Sequence, residues 1–109
     1  MIDRRRGRDR RNSERFKVSI EIEWEGLVGR KKGTINDLSN QGCFILCSGE
    51  VDDDERVKIF FPLTNGKAIQ LWGEVVNHVI EIGFAMRFVN LSEAQQEFLE
   101  NFVETLRID

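Results

Sequence analysis

From Phe16 onward the chain alternates: Val18, Ile20, Ile22 and Trp24 are interleaved with Lys17, Ser19, Glu21, Glu23 and Glu25. A period of two puts one set on a buried face and the other in water, which predicts a half-buried strand. Gly26 to Gly33, enclosing Arg30, Lys31 and Lys32, reads as a hairpin connection. Thr34 to Leu38 follows as a second strand and Gly42 to Cys47 as a third, before an acidic turn at Asp52, Asp53, Asp54 and Glu55. Val57, Ile59 and Phe61 then alternate with Arg56, Lys58 and Phe60, and Pro62 with Asn65-Gly66 marks the next turn. Ile69, Leu71, Gly73 and Val75 make one face of a fifth strand. Ile82, Phe84, Met86 and Phe88 make the matching face of a sixth, across a turn near Asn77-His78.

Beyond Phe88 the period changes. Phe98, Leu99, Phe102, Val103 and Leu106 recur at helical spacing, and Ser92 with Gln95 forms a candidate capping box, so a helix is predicted over about 92–107. Six short antiparallel strands and one helix suggest a mainly β fold: a small closed barrel with the C-terminal helix covering an open end.

Composition sets outer bounds. A chain of 109 residues supports one core and not two. The longest apolar runs are a few residues, too short to cross a membrane or to serve as a secretory segment, so a cytoplasmic location is expected. Charge is uneven. Residues 1–15 hold seven Arg against Asp3, Asp9 and Glu14, a balance of +4, whereas the remainder carries −7. A body of that sign repels a polyanion, while a short basic arm can capture a compact dianion locally. The organisation expected is a flexible arginine-rich arm over 1–15 and a barrel with its helix over 16–109.

Two short patterns carry candidate chemistry. Arg10-Arg11-Asn12-Ser13-Glu14-Arg15 sets three guanidinium groups just ahead of the first strand, able to grip phosphate oxygens bidentately and to reach the O6 and N7 acceptors of guanine. Asp37-Leu38-Ser39-Asn40-Gln41-Gly42 offers complementary groups. The Asp37 carboxylate can accept from guanine N1 and N2, Ser39 adds a hydroxyl, and Gly42 allows a flat ring to approach backbone. Upstream pairs among Arg4, Arg5, Arg6 and Arg8 lack a third arginine abutting the strand; they could reach a second ligand molecule or stand in solvent, and solvent is favoured.

At these residues the sequence resembles the PilZ domain family, receptors for the bacterial second messenger cyclic di-GMP, whose signature is RRxxxR followed by DxSxxG. The flanks agree: Phe16-Lys17-Val18 after the first motif, Cys43-Phe44-Ile45 after the second, and Gly83-Phe84-Ala85-Met86-Arg87-Phe88 ahead of the helix. The resemblance implies a six-stranded antiparallel barrel with a C-terminal helix. It also implies arginine contacts to phosphate and guanine from Arg10, Arg11 and Arg15, with Asp37 and Ser39 on guanine beside Gly42. Cyclic di-GMP would be the ligand, with no further cofactor, and the ordering of the arm would be relayed to a downstream protein partner.

The remaining constellations read as structure. Cys43 and Cys47 lie about 13 Å apart on one extended strand, beyond the roughly 7 Å that a disulfide spans between Cα atoms. His78 has no companion ligand for a metal, the Asp52–Glu55 carboxylates read as solvated, and Trp24 and Trp72 read as packing residues, with Trp72 on the opposite face from Ile69 and Leu71. No nucleophile, base and orienting group fall into a catalytic set, so a non-enzymatic receptor is expected. The alternative is a PilZ-like adaptor that binds a protein partner without nucleotide. A single-stranded nucleic-acid binder would want a basic groove with exposed aromatics, which the acidic body opposes.

Overall fold

The computed structural model describes residues 14–108. Six strands, β1 (Phe16–Gly26), β2 (Gly29–Leu38), β3 (Gly42–Leu46), β4 (Arg56–Pro62), β5 (Ala68–Val79) and β6 (Gly83–Phe88), precede one helix, α1 (Glu93–Ile108). Every strand pairing is antiparallel, and the order β1-β2-β3-β6-β5-β4 closes into a barrel. The alternation read from the sequence is the inside-outside code of that wall: Trp24, Ile35, Ile45, Ile59, Phe61, Leu71, Val75, Phe84 and Met86 are all buried. Trp24 meets Phe84 edge to face at 5.0 Å, a favoured aromatic geometry across the lumen.

Closure is weakest between β1 and β4, which are in register only from Glu23 to Glu25 against Phe60 to Lys58. Helix α1 supplies the missing apolar cover. Its Phe98 and Phe102 stand edge-on to Phe61 at 5.4 and 5.2 Å, and Leu99 and Val103 are buried behind them. The predicted capping box forms: Gln95 N donates to Ser92 Oγ at 3.1 Å, and Ser92 N donates to Gln95 Oε1 at 2.8 Å. The Gln95 amide also donates to the Gln70 carbonyl at 2.8 Å, which ties the start of α1 to β5.

Four local expectations need correction. The connection read over Gly26–Gly33 is only Leu27-Val28, because Gly29, at φ 118°, re-enters the ladder opposite Gly26. Arg30 to Lys32 therefore belong to β2, with Arg30 bonded to Glu23 at 2.6 Å and its guanidinium 3.9 Å from the Phe60 ring centre. Asn77 and His78 lie within β5, not in a turn. A register shift between Val75 and Asn77 interrupts the alternation there, and the turn falls at Ile80–Ile82, with Ile82 exposed. Strand β3 ends at Leu46, which leaves Cys47 outside it. Finally, Glu55 is buried and not solvated: its carboxylate accepts from Leu27 N and from Asp52 N, both at 2.8 Å, and so anchors the β1–β2 hairpin to the β3–β4 loop. Trp24 is buried, and Trp72 stands exposed with the Lys58 ammonium 5.2 Å from its ring.

Candidate ligand-binding site

The turn between β2 and β3 is built by its own polar groups. Ser39 N donates to the Gly42 carbonyl at 2.9 Å, while the Ser39 hydroxyl accepts from Gln41 N at 3.0 Å and from Gly42 N at 3.2 Å. A short hydroxyl side chain suits this role because it mimics a backbone acceptor within the turn. Ser39 is buried as a result. Gly42 is buried too, facing the backbone of β6: a Cβ added there would stand 2.3 Å from the Met86 carbonyl oxygen. The absent side chain thus lets β3 and β6 approach.

Asp37, two residues ahead of this turn, is half-buried and pairs across the ladder with Lys17. Arg15 immediately precedes β1, and its Nη1 donates to Asp37 Oδ1 at 2.7 Å. The last arginine of the first motif and the carboxylate of the second therefore meet, although 22 residues separate them. Beneath them lies Cys43, whose thiol is pushed up to about 12 by burial, with the Arg15 charge pulling it down and the Asp37 charge pushing it up. Arg10 and Arg11 lie outside the described residues.

The chain just before β1 is held on its other side by the helix. Arg107 Nη1 donates to Glu14 Oε1 at 2.5 Å, and the same guanidinium lies 5.6 Å from the Phe16 ring centre. The root of the arm is thus gripped between β2 and the end of α1.

The register adds residues that the motifs alone did not single out. Phe44 on β3 pairs with both Asp37 and Ala85, so its half-buried ring shares the outer face with the carboxylate. Arg87, opposite Gly42, is exposed and bonded to Glu74 at 2.7 Å. Together with Arg56 it holds the Glu74 carboxyl below the usual carboxylate range, the Arg87 hydrogen bond being the main cause. The side-chain oxygens of Asn36 and Asn40 are buried without a partner on either side of Asp37. Aromatic face, carboxylate and cations in one neighbourhood suit a flat heterocycle with hydrogen-bond donors on one edge and an anionic group attached.

The PilZ domain model matches residues 9–105, which includes both motifs. The chain belongs to the PilZ domain family. No curated protein sequence matches it. Among solved structures, this PilZ domain is similar to that of CeSA from a cellulose-synthesizing bacterium, at 22% identity and a TM-score of 0.67 over 86% of this chain and 98% of that one. The PilZ domain of YcgR from Escherichia coli, solved with c-di-GMP, is 15% identical with a TM-score of 0.68, covering 85% and 88% of the two chains. PlzA of Borreliella burgdorferi, solved in complex with c-di-GMP, is 15% identical with a TM-score of 0.67 over 93% of this chain but 44% of its own length. At such identities the likeness speaks for the shared barrel. Among the described residues, no group of three His, Cys, Asp or Glu is arranged to hold a metal, and no helix is long and apolar enough to cross a membrane.

Proposed function

We propose that this PilZ domain is a non-enzymatic receptor for cyclic di-GMP, which docks on the outer wall around Asp37 and is then covered by the arginine arm. The observation that carries the reading is the Arg15–Asp37 bond, because it joins the two halves of the family signature at one surface point. Membership of the family and the c-di-GMP complexes of the YcgR and PlzA neighbours support it. Arg10 and Arg11 engage phosphate and the guanine acceptors, Asp37 accepts from guanine N1 and N2, and Arg15 turns from Asp37 toward the ligand. Ser39 and Gly42 hold the turn that presents Asp37, and Phe44 gives the base a face to lie against.

The Arg15–Asp37 pair is exposed, and pairs of that kind contribute only about 0–1 kcal/mol, so rearranging it on ligand entry is cheap. Charge-assisted bonds are worth about 1.5–3 kcal/mol each, whereas ordering an arm costs about 1–2 kcal/mol per residue. A dissociation constant in the micromolar range, about −8 kcal/mol, is the natural balance. The signal is then the arm's change of state, passed to a partner protein. This assigns the arm over 1–15 a separate role from the barrel, in the cytoplasm of a bacterium.

Calorimetric titration with cyclic di-GMP, beside Arg11→Ala and with GMP as control, tests the proposal. Saturable binding that the variant loses is expected. An intact domain that does not bind would replace the receptor with a partner-binding adaptor.

A further inference from the structure

Six of the seven exposed large hydrophobic side chains among the described residues stand toward one end of the barrel. Leu27 and Val28, 80% and 65% exposed, form the β1–β2 tip, and Ile80 and Ile82, 75% and 53% exposed, form the β5–β6 turn. Leu46 ends β3 opposite Gly83, and Val76 lies in the last third of β5. The β3–β4 loop stitches these elements together: Cys47 N donates to the Ile82 carbonyl at 3.0 Å, Asp54 N to the Val75 carbonyl at 2.9 Å, and Leu27 N to the Glu55 carboxylate at 2.8 Å. The Ser39–Gly42 turn and the root of the arm lie at the opposite end, since β1 and β3 both begin there.

Turn chemistry does not account for the choice of residues. Two-residue tips and short turns favour Gly, Asn, Asp and Ser, and the left-handed position of the β5–β6 turn is taken by Glu81 at φ 65°, not by an isoleucine. Burial does not account for it either. Singly scattered exposed aliphatics are ordinary, whereas a group confined to one rim marks a contact surface.

The charge around the rim selects the occupant. Glu50, Asp52, Asp53, Asp54 and Glu81 are exposed there; of the exposed cations at the same end, Arg30 and Arg56 already pair with Glu23 and Glu74, which leaves Lys31 beside Gly49. An anionic membrane is repelled, and a second copy would bring carboxylates against carboxylates. We infer that this rim docks a basic amphipathic segment of a partner protein, whose aliphatic side chains pack among Leu27, Val28, Ile80 and Ile82 while its Lys or Arg side chains pair with Asp52 to Asp54. The surface requires no nucleotide and stands whether or not the Asp37 site binds one.

The test titrates the isotope-labelled full chain, followed by amide NMR, with a synthetic amphipathic peptide of Leu and Lys. A Leu and Glu peptide of the same pattern and phosphatidylglycerol vesicles serve as comparisons, and sedimentation reports self-association. The expected result is saturable binding of the Leu and Lys peptide, weakened by salt, with shifts confined to residues 27–29, 46–55 and 76–83. Leu27→Ser/Ile80→Ser should weaken it at least tenfold, and so should Asp53→Lys, which leaves the aliphatic residues in place. Absence of binding, shifts centred elsewhere, equal binding of the acidic peptide, association with the vesicles, or dimerisation through the rim would each overturn the assignment.

Discussion

Arg107, near the end of α1, bonds at 2.5 Å to Glu14, 93 residues earlier in the chain and adjacent to the arginine that bonds Asp37. Two successive residues at the root of the arm are therefore tied to two different elements, Glu14 to the helix and Arg15 to β2. Any movement of the root is felt at both. For the proposed receptor this is a physical route from ligand to helix: a ligand that draws Arg15 away from Asp37 would act one residue from the contact that Arg107 holds.

Replacing Arg107 by Ala should leave thermal stability nearly unchanged, because partly exposed ion pairs contribute at most about 1 kcal/mol. Amide hydrogen exchange over residues 14–17 should accelerate severalfold, and cyclic di-GMP should bind a few-fold more weakly, since a root already ordered lowers the entropy cost of closing the arm. Unaltered exchange at those amides would show that the helix does not hold the root.

Asp37→Ala separates binding from folding. The pair it breaks is exposed, so the melting temperature should barely move, while cyclic di-GMP affinity should fall about tenfold to a hundredfold if charge-assisted bonds to guanine are lost. Calorimetry and thermal unfolding on the same preparation make the comparison. Equal affinity for variant and parent would remove Asp37 from the site.

Gly42→Ala acts in the opposite sense. The new methyl would collide with the Met86 carbonyl oxygen, a backbone atom that cannot swing aside, so β3 and β6 must part locally. Overpacking of this kind costs about 1–3 kcal/mol. For a domain of this size that is a melting temperature lower by about 4–8 °C per kcal/mol. A variant as stable as the parent would leave the glycine free for a role toward ligand alone.

The contrast between Asp37 and Gly42 also marks what could be read from the chain. Alternation in β1, β4 and β5 and the helical spacing of Phe98, Phe102 and Val103 were legible because each reports its own local period. The Val75–Asn77 register shift was not, since a bulge depends on the neighbouring strand. Arg15 and Asp37 were visible as motif residues, but that their charges meet shows only in the structure. Ser39 and Gly42 carry the same motif letters yet are buried, Ser39 within its own turn and Gly42 against the backbone of β6. Phe44 became visible only once β2 and β3 were in register, and Glu55 hid within a run of acids whose other members face solvent.

Cys43 provides a pH test of the ground beneath the site. Burial pushes its thiol up to about 12 in the folded domain, against an unfolded value near 8.5. Below the unfolded value both states keep the proton, and the thiol leaves stability independent of pH. Above it the unfolded chain releases the proton while the folded domain retains it, so folding loses about 1.4 kcal/mol for each further pH unit until the folded value is reached. Cys47, also pushed up by burial, contributes a decline of the same sign. Urea unfolding at pH 7, 9 and 10 should therefore show stability declining through the alkaline range, and Cys43→Ala, though less stable at pH 7, should show a shallower decline. Parallel declines in parent and variant would mean that the Cys43 thiol ionises as readily in the barrel as in the unfolded chain, and the tight seal of the core beneath Arg15 and Asp37 would have to be abandoned.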